Sequence, residues 1–115
     1  LMAFVLDETS SYKWPVKAKV PSGNGKHSVQ TFNGEFKRIT QTRIIEMGDQ
    51  IEKNKITDIE LVSEVLIGWD SIEDDDGNPV DFNKANLRKL LDIPTVATAI
   101  AQSFFESIAG GKRKN

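Results

Sequence analysis

The sequence predicts an α+β fold, an N-terminal two- or three-stranded β-hairpin element followed by about four helices. Two patterns carry this. Trp14, Val16, Ala18 and Val20 alternate with Lys17 and Lys19, the period of two of a half-buried strand with its lysines facing water. From Phe36 onward the apolar residues recur at helical spacing. The chain of 115 residues reads as a single domain. Residues 3–33 form its β element, 35–110 its helical part and 111–115 a basic tail.

Taken in order, residues 3–6 suit a short first strand. Residues 14–33 read as a β-hairpin, because Pro21, Ser22, Gly23, Asn24 and Gly25 supply turn residues between its arms. Gly34 ends that strand, and a helix follows with Phe36, Ile39, Ile44, Met47 and Ile51 on one stripe. Ile45 lies off the stripe and Gly48 weakens the helix. Thr57, three residues before Glu60, forms a capping box: each side chain can satisfy the other residue's amide. The helix it opens gathers Ile59, Val62, Val65, Leu66 and Trp69 on one side, and Gly68 stops it.

Residues 73–79 are the strongest turn signal, with Ile72 and Val80 placed to pair across it. Asn83 is the N-cap of a helix carrying Leu87, Leu90 and Leu91. Pro94 suits the first turn of a last helix, whose ridge is Val96, Ile100, Phe104 and Ile108. Gly110 and Gly111 end it, and Lys112, Arg113 and Lys114 sit where the helix dipole favours cations.

Composition removes several classes of function. With no cysteine there is no disulfide framework, thiolate zinc site or cysteine nucleophile, and a cytosolic setting fits best. No apolar run approaches the ~20 residues that span a bilayer, and no basic-then-apolar leader opens the chain. Charge is distributed in blocks. Lys13, Lys17, Lys19, Lys26, Lys37, Arg38 and Arg43 stand against Glu35 alone, whereas residues 44–83 are acidic and opposed only by Lys53 and Lys55. This alternation suits self-association or a charged partner; the plain alternative is a set of solvated faces.

Little here supports catalysis. His27 is the single histidine, and no serine elbow accompanies it. Asp74, Asp75, Asp76 and Gly77 resemble part of a calcium loop, but the anchoring ligands fall at Ile72 and Asn83, and neither supplies a carboxylate. Gly23, Gly25 and Lys26 match no phosphate-binding spacing. The basic residues near Tyr12 and Trp14 could hold nucleic acid, although a sequence pI of 5.4 and the acidic middle oppose it. The reading is of a non-enzymatic protein without cofactor or metal.

The second half carries a resemblance. It runs from Leu66, Ile67, Gly68, Trp69 and Asp70 through Asp76, Gly77, Asn78, Pro79 and Val80 to Phe82 and Asn83. It continues with Asn86 and Leu87, Leu90 and Leu91, then Ile93, Pro94, Thr95, Val96 and Ala97, then Phe104, Phe105 and Glu106, and closes on Lys112, Arg113, Lys114 and Asn115. In order and spacing this resembles the tail assembly chaperones of long-tailed bacteriophages and prophages. Upstream, Phe32 to Arg38 is similar to the same family.

The resemblance implies a protein that coats the tape-measure protein and keeps that long apolar chain soluble in the host cytoplasm. It then yields to the major tail tube protein and leaves before the virion is finished. It also implies that many members exist in a longer, frameshifted form. The alternatives are another small morphogenesis protein, such as a head–tail joining or tail-terminator subunit, and a small nucleic-acid-binding regulator.

A contact surface for such partners, or for a homo-oligomer, is expected on the last helix. With Val96 as zero, Ile100, Phe104 and Ile108 fall at roughly 40°, 80° and 120° around the helix, and Phe105 at about 180°. Phe104 is then core, and Phe105, beside small Ala97 and Ala101 and above the tail of Lys112, Arg113 and Lys114, is the contact residue. The plain alternative packs Phe105 against the hairpin around Trp14.

Overall fold

The computed structural model describes residues 2–110. The elements run β1 (Ser11–Gly23), β2 (Lys26–Lys37), α1 (Gln41–Glu52), α2 (Asp58–Val65), β3 (Leu66–Asp70), α3 (Lys84–Leu91) and α4 (Val96–Ile108). The strands form one antiparallel sheet in the order β1-β2-β3, giving the α+β arrangement expected from the pattern. Among the described residues, no helix is long and apolar enough to cross a membrane.

The hairpin is longer than residues 14–33 and its turn tighter than five residues. Gly23 pairs with Lys26 across Asn24 and Gly25, both at positive φ, the two-residue turn whose twist matches antiparallel strands. A register shift between Pro21 and Gly23 absorbs the extra residue. Pro15 and Pro21 are tolerated because β1 is an edge strand.

Four expectations are corrected. Residues 3–6 form no strand; they are exposed and without regular structure ahead of β1. Gly34 does not end β2 but lies buried within it, and Phe36 is a strand residue. A Cβ on Gly34 would meet Leu66 Cδ1 at 3.1 Å and Val16 Cγ2 at 3.4 Å, so glycine is what lets the sheet close at this point. The helix after it therefore starts only at Gln41, capped by the Thr40 hydroxyl.

The third correction concerns residues 66–70. Their helical spacing is genuine, but Phe36 pairs with Leu66 and Gly34 with Trp69, so the open edge of β2 captures the segment as a strand. Gly68 sits in that strand, where a Cβ would come 2.9 Å from Glu35 Oε1. The fourth concerns Pro94, which precedes α4 instead of opening it. The Val96 amide donates to the Ile93 carbonyl at 3.2 Å. Proline is thus second in a four-residue turn and Thr95, at φ 76°, third.

Other features stand as read. Thr57 and Glu60 form the reciprocal capping box of α2, and Asn83 caps α3 through the Asn86 amide. The Val80 amide donates to the Ile72 carbonyl at 2.9 Å. Helices cover one face of the sheet. Val16, Ala18, Phe32 and Phe36 from the hairpin meet Leu61, Val62 and Val65 of α2 and Val96, Ile100 and Phe104 of α4 in a single apolar cluster. Phe36 and Phe104 lie 5.4 Å apart at its centre, in a tilted pair.

Candidate functional site: a groove beside helix α4

Helix α4 is bound on two sides. Tyr12 and Ser107 share a hydrogen bond of 2.7 Å, which ties it to β1. On the other side Thr98 Oγ1 donates to Asp58 Oδ2 at 2.7 Å, which ties it to the start of α2. Beyond that tie, Ile51, Asp58, Thr98, Ala101, Gln102, Phe105, Glu106 and Ala109 enclose an open surface groove.

Phe105 forms one wall. Its ring is half-buried and meets Phe104 edge-on at 5.4 Å, so one side is supported by the core while the groove takes the other. Ala101 is the floor, only 5% exposed, and its lack of bulk creates the depression. Ala97 lies in the apolar core and does not line the groove. Lys112, Arg113 and Lys114 lie outside the described residues.

Ile51 supplies a second apolar surface that the helical stripe had assigned to the core; it is 42% exposed. The physical reason is that α1 is held by few groups. Met47 is the helix residue that is fully buried. Arg43 anchors the outside through hydrogen bonds of 2.8 and 2.7 Å to the two carboxylate oxygens of Glu64. Sequence reasoning missed Ile51 because the stripe pattern does not reveal which end of an amphipathic helix overhangs its support. The groove's polar rim combines the acidic Asp58 and Glu106 with the neutral Thr98 and Gln102. It offers carboxylates to basic or amide groups beside an apolar slot, and no nucleophile–base pair.

The other candidates lie away from this groove. Asp74, Asp75 and Asp76 bring carboxylates within 4.8 Å of one another in an exposed turn. Asp74 Oδ1 there accepts the amides of Asp76 and Asn78, each at 2.9 Å. The Asn78 amide chiefly holds the Asp74 carboxyl below its ordinary value. The basic residues are dispersed. Arg43 is committed to Glu64, Lys13 reaches Asp70 at 3.1 Å, and Arg38 stacks over Tyr12 at 5.3 Å. Tyr12 and Trp14, the aromatic residues near these cations, pack against the core. His27 is exposed near the hairpin tip.

The family model described as phage tail assembly chaperone matches residues 2–115. The chain belongs to that family. The match extends over the hairpin as well as the second half, so the β element is part of the chaperone. No curated protein and no solved structure matches this chaperone.

Proposed function

We propose that this tail assembly chaperone is a non-enzymatic holdase for the tape-measure protein, working in the host cytoplasm, and that the groove beside α4 takes apolar side chains of that client. The observation that carries the reading is the pairing of Phe105 with Ile51 across a floor of Ala101, inside a polar rim. An apolar slot of this kind suits a helix presented by its i and i+4 residues. Moderate affinity suits the task, since tail tube subunits must displace the chaperone, and repeated copies along one client supply avidity.

The test is co-expression with the tape-measure protein of the same genome, followed by its soluble fraction. Phe105→Glu and Ile51→Glu should each send the client to the pellet while the chaperone stays folded, Ile51→Glu holding its unfolding free energy within about 1 kcal/mol of wild type and Phe105→Glu losing about 2 kcal/mol or somewhat more. Two variants are needed because Phe105 also touches Phe104. A client that stays soluble with both places the contact elsewhere. Mass spectrometry of purified particles should not find the chain, which separates this reading from a head–tail joining or tail-terminator subunit.

A further inference from the structure

The rim of the groove beside α4 carries its two charges toward opposite ends. Asp58 is held at the Thr98 end, where its Oδ2 accepts the Thr98 hydroxyl at 2.7 Å. Glu106 also lines the groove, later on the same helix as Thr98. At 1.5 Å per residue, Thr98 and Glu106 are about 12 Å apart along the helix axis. Ala101 and Phe105 fall between them in sequence, so a carboxylate stands toward each end of the apolar slot.

Neither carboxylate is neutralised among the described residues. Ion pairs there join Lys13 to Asp70, Arg43 to Glu46 and Glu64, and Lys53 to Asp49. No lysine or arginine is among the groove's described lining. Asp58 suits the first turn of α2 in any case, because a helix start favours acids. Glu106 has no such reason. It is exposed in the last turn of α4, where the dipole favours cations and opposes an acid.

A second groove, between α2 and α3, has the opposite sign. Ile59, Leu87 and Leu91 line it with Lys84 and Arg88, and Asp92 is the acid among them. Asp58 and Ile59 are consecutive, so α2 begins on the boundary between an acidic and a basic groove. A cationic segment is drawn to the first and repelled by the second.

We propose that the α4 groove selects client helices by charge as well as by apolarity: an apolar pair at positions i+1 and i+5 fills the slot, and lysine or arginine at i and i+8 meets Asp58 and Glu106. This rests on the holdase reading of the groove. At 1.5 Å and 100° per residue, i and i+8 lie about 12 Å apart and all four positions fall within an arc of roughly 140°. They share one face, and the spacing of the cations matches that of the carboxylates. Lysine and arginine stems also lie along apolar surface while their heads stay in water, which suits a slot with a charged rim. Exposed ion pairs add little affinity each, so the apolar pair supplies the contact and the charges choose among segments.

Synthetic peptides of about 20 residues, rich in alanine for helicity, test this by titration into the ¹⁵N-labelled full chain. Each carries leucine at i+1 and i+5, with lysine or glutamate at i and i+8. At low ionic strength the lysine peptide should bind about tenfold more tightly, since two attractions replace two repulsions. Amide shifts should centre on Ile51 and on Thr98 to Ala109. Salt of about 0.5 M should shrink the preference to within about threefold. Lysines moved to i+3 and i+10, on the opposite face, should weaken binding by about threefold or more. Glu106→Lys, which the helix end favours, should bring the first two peptides within about twofold of each other, because one rim site then favours each. Equal affinity of those two peptides for wild type, a tenfold preference that survives Glu106→Lys, shifts outside the groove, or no binding of the lysine peptide overturns the proposal. Client solubility is a separate readout. If Phe105→Glu releases the client while the peptides show no charge preference, the charge rule fails alone. If the preference holds while the client stays soluble with both Phe105→Glu and Ile51→Glu, the holdase reading fails and the groove serves a different cationic helix.

Discussion

At the scale of single residues, Phe104 and Phe105 are neighbours that differ in burial. Phe104 is fully buried between the sheet and α2, so Phe104→Ala should cost about 3–5 kcal/mol in urea unfolding. Phe105 has one supported face, and Phe105→Ala should cost about 1–2 kcal/mol. Thr95 is a β-branched residue at φ 76°, held by a 2.8 Å hydrogen bond from its hydroxyl to the Lys19 carbonyl. Asparagine tolerates that backbone and keeps a donor, so Thr95→Asn should raise stability by about 0.5–1 kcal/mol. Glu64 is held below its ordinary value of 4.5, chiefly by hydrogen bonds from Arg43, with burial opposing. A folded pKa below the unfolded one contributes stability above the unfolded value and loses it as pH falls through the folded value. The wild-type urea midpoint should therefore drop on acidification below pH 4.5, and an Arg43→Leu variant should drop less over the same interval. The two-phenylalanine distinction was legible in the sequence from the helical wheel alone. The burial of Ala97 and the overhang of Ile51 were not, because each depends on how far a neighbouring helix extends.

Among the elements, those whose ends are written in local chemistry were legible, and those decided by distant partners were not. Thr57 with Glu60, and Asn83 with Asn86, close hydrogen bonds within one turn, so sequence alone locates their helices. Thr57→Ala should accordingly cost about 1 kcal/mol, measurable as a lowered urea midpoint. β3 is the contrary case. Residues 66–70 satisfy a helical pattern, and only the unpaired edge of β2, some thirty positions earlier, turns them into a strand. Gly34 is misleading for the same reason: a glycine that looks like punctuation is buried between Val16 and Leu66. Gly34→Ala should cost about 1–3 kcal/mol through overpacking, and it should loosen β3 before the hairpin, visible as faster amide exchange in residues 66–70.

For the molecule as a whole, the charge blocks and the amphipathic last helix pointed to a binding protein, and the family match over residues 2–115 agrees with that class. The composition of residues 3–6 suits a strand, yet among the described residues no strand pairs with them. Hydrogen exchange on the full chain, with and without the tape-measure client, tests the central claim most directly. Binding should slow amide exchange in the overhanging end of α1 around Ile51 and in α4 from Thr98 to Ala109, with the outer face of the sheet unchanged. Slowing confined to the sheet, with α1 and the exposed side of α4 unaltered, would contradict it.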